Sequence, residues 1–483
     1  MGIELMGLIT ILVGCVILAA PANWAFTIMV VSTVFGAAAA IGLPALGGPT
    51  VLVPSLFLVF FAIRMFIAAG EGPLLVSMQP GRAGFWLLLL TAFGLLSAIY
   101  FPRLFEGMTD TMTVERVSST RSTIALTPLR FSSNNITQTV YALGGLVCFA
   151  AVFAYFRHAG KPEHLIKAIL LLAIVDLGFA VVDVVTYFTG TEYLLSFVRT
   201  ANYALLTASE KGGLKRISGT FPEASAFSEY TLVLFAVVAS LWLDRVRTRD
   251  TGTLSLALLV ALLLSTSATA LIGLGVVVPY LWTRAVLGTM RGSTGEGRPV
   301  FIAACVALIP LAILTTFVVF PGLVDQLGDF LDEMLLSKAE SQSGKERFMW
   351  NAMAYEAFLN TNGLGAGLGS ARASSYILVL LSNLGIAGTA LFGLFVFSIL
   401  IGRSQPASRD EDVTGATIRA ARTGLIALLT AACISGTVYD LGLMFYILAG
   451  SVAALTGGRI SVARPFPVTG SFSGFPGIRD GRQ

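Results

Sequence analysis

Apolar runs of about twenty residues recur along this chain, and each is long enough to cross the hydrocarbon core of a bilayer. They fall near residues 5–20, 22–43, 50–70, 84–101, 136–156, 165–188, 226–243, 253–268, 269–286, 299–320, 374–401, 421–439 and 441–457. Inside a bilayer there is no water to bond the backbone, so each run must satisfy its own amides and carbonyls. Helices do that, and the pattern predicts an all-α polytopic integral membrane protein of about 12–13 transmembrane helices. Composition closes off the alternatives. Of 483 residues, 55% are hydrophobic and only 12% charged, against about 25% charged in ordinary soluble domains. Too few polar side chains remain to cover a water-facing surface. A cytosolic enzyme, a secreted disulfide scaffold and a disordered chain are excluded.

Net charge is +4, from 31 basic and 27 acidic residues. That is too mild a surplus for a nucleic-acid partner. The cysteines, Cys15, Cys148, Cys305 and Cys433, lie far apart inside apolar runs. They form no CxxC redox or zinc motif and read as small hydrophobic residues. The two histidines, His158 and His164, share one short loop. No cofactor and no metal site is expected.

Lys and Arg in the short loops set the orientation. Arg157 and Lys161 mark one loop, and Arg245, Arg247 and Arg249 a second. Arg284, Arg291 and Arg298 mark a third, and Arg403, Arg409 and Arg419 a fourth. These alternate correctly if all are cytoplasmic, with the tail on the same side and the N-terminus outside. The opening Met-Gly-Ile-Glu has no basic stretch, so the first run reads as a retained helix and not as a cleaved signal peptide. The chain divides into 1–135 (N-terminal helices and first outer loop), 136–320 (central bundle with outer loop 189–225), 321–373 (large outer loop), 374–457 (C-terminal helices) and 458–483 (cytoplasmic tail).

Long outer loops on a helical scaffold are where function concentrates. Loop 321–373 opens amphipathically. Leu323, Leu327, Phe330, Leu331, Met334 and Leu335 share one helical face, and Asp325, Asp329, Asp332 and Glu333 the other. This reads as a helix at the membrane surface or packed on the bundle. A second helix is expected from Gly344 to Leu359, followed by a turn with Gly363, Gly365, Gly367 and Gly369. That turn lacks a Walker lysine and is no nucleotide fingerprint.

Cations on the outer side run against the positive-inside trend and need a reason. Lys215 and Arg216 precede a Gly turn, and Glu223 sits just before the next helix. Arg347 opens the helix of loop 321–373, and Arg372 follows its Gly-rich turn. Arginine suits phosphate because its planar fork donates paired bonds. The competing reading makes Glu223 a helix cap, Arg347 a surface partner of Glu346 or Glu340, and the loop merely solvated. Within the membrane, Asp176 and Asp183 lie two turns apart on one helix, Arg64 lies in another, and Glu229 lies near a helix end. They would be an ion relay in a transporter, or buried pairs such as Arg64 with one Asp.

Two stretches carry a family resemblance. Residues 216–225 read Arg-Ile-Ser-Gly-Thr-Phe-Pro-Glu-Ala-Ser. Later come Arg347-Phe-Met-Trp350, a Gly-rich run over 360–369, and Asn383-Leu-Gly-Ile-Ala-Gly388. In order and placement the chain resembles the O-antigen ligase and polysaccharide polymerase superfamily, and the Ser-Thr-Ser-Ala-Thr-Ala run at 265–270 is similar to that family's short interhelical turn. Ligases carry a His after the Gly turn, where this chain has Ser374 and Ser375, so the resemblance leans to the polymerase branch.

The resemblance implies a GT-C-like membrane protein with a periplasmic loop of short helices, in a bacterial inner membrane. It implies a metal-independent glycosyltransferase whose site faces the periplasm. Its substrate would be an undecaprenyl-pyrophosphate-linked oligosaccharide, polymerised into a surface polysaccharide such as exopolysaccharide, capsule or O-antigen. Membrane lipid, a chain-length regulator and a flippase would be its partners. Arg216 and Arg347 would clamp the pyrophosphate, with Lys215 and Arg372 in support, and Glu223 would act on the acceptor hydroxyl. The alternatives are a ligase that moves the glycan to a lipid or protein acceptor, and a transporter or flippase.

Overall fold

The computed structural model describes residues 2–42, 50–116, 122–201, 205–208, 210–211, 214–290, 297–308, 342–402 and 409–457. The protein is almost entirely helical. Its front half holds α1 (Leu5–Ala19), α2 (Ala22–Ser32), α3 (Val53–Ala69), the short α4 (Gly72–Ser77), α5 (Ala83–Leu104), α6 (Ser133–His158) and α7 (Pro162–Thr189). The centre holds α8 (Ala224–Leu243), α9 (Thr248–Leu264), α10 (Ala268–Met290) and α11 (Gly297–Ala303). Then come α12 (Gln342–Asn360), α13 (Tyr376–Ile401), α14 (Arg409–Ser435) and α15 (Leu443–Thr456).

Among the described residues, seven helices are long and apolar enough to cross a membrane: α5, α6, α7, α8, α10, α13 and α14. The helices α1, α2, α3 and α15 are apolar but shorter. The outside of the bundle is itself apolar. Ile67, Val181 and Phe188 are more than 60% exposed, a surface that lipid tolerates and water does not. The chain is a multi-pass, all-α membrane protein.

Most of the runs predicted from hydropathy hold a helix among the described residues, with informative differences. The run 22–43 is helical only to Ser32, because residues 33–40 leave the helix to bond a distant loop. The run 374–401 is broken at Gly385, whose φ of 61° is left-handed. Two of the cysteines, Cys15 and Cys433, are exposed and only Cys148 is fully buried, so they are not all core residues. Most of the run 299–320, the amphipathic stretch 323–335, Glu340 and the tail 458–483 lie outside the described residues.

Small sheets gather at one end of the bundle, which we call the polar end. β1 (Gly2–Ile3), β2 (Ala39–Gly42) and β3 (Thr50–Leu52) form an antiparallel sheet in that order. β4 (Asp110–Arg116) and β5 (Ser122–Pro128) form a hairpin in register from Asp110 opposite Pro128 to Arg116 opposite Ser122. A ribbon pairs β6 (Glu210–Lys211) with β7 (Leu214–Lys215). The same end carries the turn 265–267 between α9 and α10, the start of α12, and the loop 436–442 between α14 and α15.

Candidate functional site

The polar end is organised by one buried carboxylate. Asp183, on α7, accepts from Arg199 at 2.6 Å, from Lys215 at 3.5 Å, and from the amides of Ser218 and Gly219 at 2.8 and 3.1 Å. Every donor comes from the segment leading into α8. A buried carboxylate is stable only when paired and hydrogen-bonded, and this one fixes the loop in return. The expected ion pair within the membrane therefore exists, but its cations come from the loop. Arg64 instead donates to the Ala20 carbonyl at 3.0 Å, and Asp176 accepts from the Thr231 hydroxyl at 2.9 Å.

Lys215 is consumed by this anchor. Its ammonium also donates to the carbonyls of Thr207 and Arg216. Burial pushes it below its ordinary range and Asp183 opposes that shift. The structure thus gives Lys215 a bracing role in this anchor.

The N-terminal segment grips the same loop. The amide of Ala37 donates to the Thr220 carbonyl at 3.0 Å, and the Ala37 carbonyl accepts from Thr200 and Ala201. The Thr220 hydroxyl bonds the Val34 carbonyl. Gly36 lies so close to Phe221 that a Cβ there would meet the ring at 2.5 Å.

One residue beyond Lys215 the outcome reverses. Arg216 is half-buried, and its Nε is buried without a hydrogen-bond partner. Glu223 holds the N-cap position of α8 in extended backbone (φ −155°, ψ 164°) and accepts from the Ser225 hydroxyl. Arg347 stands in the first turns of α12, beside exposed Lys345 and Glu346. Burial pushes the Arg216 guanidinium below its ordinary range, with the Glu223 carboxylate opposing and Arg347 adding to the shift. Arg216 thus lies within electrostatic reach of Glu223, seven residues on in the same stretch, and of Arg347 from a distant one. Among the described residues no salt bridge joins them. Glu229, a turn and a half further along α8, lies within reach of Glu223.

The Gly-rich turn has a different job. The break at Gly385 frees the carbonyls of Ser382 and Asn383, which accept from the amides of Ala366 and Gly367 at 2.7 and 2.9 Å. The Asn383 side chain takes the amides of Gly369 and Ala371 and donates to the Ala371 carbonyl. Asn135 of α6 reaches Leu368 and Ser370 at 2.8 Å. With those amides taken, the turn is a packed knot and not an anion cradle. A Cβ on Gly367 would lie 2.6 Å from Pro102 of α5, so the backbones meet where only glycine fits.

The knot leads directly to Arg372. Its amide donates to Met112 of the hairpin at 3.0 Å, and its guanidinium to Thr437 at 2.9 Å. Its Nε is buried without a partner, and burial lowers its affinity for the proton. Nearby in the loop 436–442 is Asp440, which accepts from the Gly442 amide at 3.1 Å. Burial raises its pKa, with Gly442 opposing. Tyr141, Tyr376, Tyr439 and Tyr446 lie within its electrostatic reach. The sequence reading missed Asp440. The available signal was a charge between two apolar runs, in Tyr-Asp-Leu-Gly.

Chemically, the polar end offers guanidiniums with unused donor capacity, Arg216 and Arg372, beside a carboxylate. Such a set can hold an anion and accept a proton nearby. Among the described residues, no three His, Cys, Asp or Glu side chains gather as metal ligands would. His158 and His164 lie at the opposite end, where Tyr155 bonds His164 at 2.5 Å. The chain matches no protein-family model, no curated protein and no solved structure.

Proposed function

We propose that the protein is a membrane glycosyltransferase of the polysaccharide polymerase type, using a polyprenyl-pyrophosphate-linked oligosaccharide as donor. The observation that carries this reading is the approach of Glu223 and Arg347 to the half-buried Arg216, whose Nε is buried without a hydrogen-bond partner. An ion cluster kept for stability alone would close on itself. One that waits for a diphosphate keeps its donors open.

In the reaction, an acceptor sugar hydroxyl attacks the anomeric carbon of the donor. The bond from that carbon to the pyrophosphate oxygen breaks, and the electron pair leaves with the pyrophosphate. Arg216 and Arg347 stabilise the charge that builds there, an effect worth about a hundredfold or more per donor in a water-poor site. Arg372 supports from the knot. The hydroxyl proton goes to Glu223. Lys215 and Asp183 hold the loop in place and stay out of the chemistry. The finer architecture of this reading is GT-C-like, with 321–373 as a periplasmic loop and the basic loops in the cytoplasm of a bacterial inner membrane. The lipid tail would lie against the apolar helix flanks.

The absence of a histidine after the Gly knot favours extension over ligation. The saturated Asp183 weighs against an ion relay. The test is purified protein in lipid with polyprenyl-pyrophosphate-linked repeat units, read by gel and mass spectrometry. A ladder of lengthening lipid-linked chains is expected, and Arg216→Ala and Arg347→Ala should abolish it in folded protein. A single transfer to a separate acceptor would establish a ligase instead. Full ladders from both variants would remove the clamp.

A further inference from the structure

At the end opposite the polar end, two guanidiniums converge where the transfer reaction has no use for them. Arg82 is the N-cap residue of α5, and Arg157 stands in the last turn of α6. Both are half-buried, and both lie over the Phe153 ring, at 5.8 and 5.3 Å from its centre. The point where a Cβ on Gly457 would sit is 3.7 Å from Arg82 Nη1 and 2.9 Å from Arg157 Nη2. Their tips therefore meet beside the end of α15, within electrostatic reach of each other.

Like charges held together need a counter-ion. The helix ends do not supply it. Each carries about half a charge, and here they cancel: α6 and α15 arrive by their C-termini, while α5 and α7 leave by their N-termini. Arg157 has further contacts of its own. Arg82 is different. Among the described residues its guanidinium meets the Phe153 ring and neither a hydrogen-bond acceptor nor a carboxylate. It makes no capping bond to α5 either. An arginine with nothing to bind ordinarily extends into water, as the exposed Arg249 does at the start of α9. Arg82 is instead laid over a ring beside a second cation, with its donors unspent.

The depth is also specific. Both arginines stand at the ends of helices long and apolar enough to span a membrane. Phe85 and Trp86 follow in the first turn of α5, where aromatic rings mark the headgroup level. Leu75, on the preceding α4, is 61% exposed and offers an apolar flank to acyl chains.

We propose that Arg82 and Arg157 form a binding site for the phosphate of a membrane-lipid headgroup. A phosphodiester brings a negative charge and the acceptor oxygens that a guanidinium fork bonds in pairs. Basic pockets between membrane helices take lipid headgroups on the same principle. The site lies away from the clamp and does not rest on the transferase reading.

The experiment is native mass spectrometry of the full chain, stripped of lipid in detergent and titrated with dioctanoyl phosphatidylglycerol. Dioctanoylglycerol is the phosphate-free control and inorganic phosphate the tail-free one. The native chain should retain phosphatidylglycerol and, at the same concentration, neither control. Arg82→Gln should weaken that retention about tenfold with an unchanged melting temperature. Arg82→Lys, which keeps the charge and loses the fork, should fall between. Arg249→Gln should leave retention intact. Absence of retained phosphatidylglycerol overturns the site, as does retention that Arg82→Gln leaves unaltered or that Arg249→Gln weakens equally. Equal retention of dioctanoylglycerol assigns the binding to the tails and overturns the phosphate. Equal retention of inorganic phosphate overturns the lipid as its source.

Discussion

Two clusters in this protein have the same charges and opposite states. At the end opposite the polar end, past the C-terminus of α8, Asp244 meets Arg284 and Arg419, with Arg419 Nε at 2.9 Å, and Arg284 also bonds Ser240 and Thr423. At the polar end, Glu223 stands with Arg216 and Arg347, and no salt bridge among the described residues closes the set. Both have one carboxylate and two guanidiniums. The first is a finished joint between α8, α10 and α14. The second leaves donor capacity unspent. Charge composition alone therefore does not tell the two clusters apart, whereas the satisfaction of their donors does.

That contrast can be broken in order of effect. Arg216→Ala should lower chain extension about 10²–10³-fold, measured by initial rates on a defined lipid-linked unit. Its melting temperature should barely move. At the other cluster the pattern should invert. Asp244→Asn leaves Arg284 facing no carboxylate and should cost about 3 kcal/mol of stability, with extension retained by whatever folds. If Asp244→Asn instead stops extension in stable protein, the division between the ends is wrong.

The Gly knot sharpens the comparison from the structural side. Gly367→Ala demands a side chain at φ 98° and a Cβ 2.6 Å from Pro102. A loss of about 1–3 kcal/mol is expected in thermal or denaturant melts. The smallest effect concerns pH. Burial raises the Asp440 carboxyl above the ordinary carboxylate range. A raised carboxylate stabilises the fold while protonated, and that contribution is lost as pH rises through the folded value. The melting temperature should therefore fall as pH climbs from about 4, and Asp440→Asn should flatten that slope.

The helices were legible because the bilayer demands long apolar runs and nothing else in the chain supplies them. The β4–β5 hairpin was missed, although Thr111, Thr113 and Val114, then Ile124 and Thr127, are the β-branched residues strands favour. Within the candidate site, Arg216, Glu223 and Arg347 were visible as charges where loops meet helices. The employment of Lys215 was not, because Asp183 is 32 residues away in sequence. Distinguishing neighbours such as Lys215 and Arg216 requires knowing which long-range partner each meets, and spacing does not carry that. The Gly run was visible as a turn, yet its partner, the break at Gly385, emerges only once α13 is seen to open.

The grip of residues 34–37 on Thr200, Ala201 and Thr220 also sets an order of assembly. Chains are made and inserted from the N-terminus. The first two helices are thus in place before the Arg216 segment leaves the ribosome, and they present it with a ready template. A shortened or retagged front end would then yield protein that inserts fully yet never settles its central loop, a defect of biogenesis and not of the loop's own residues.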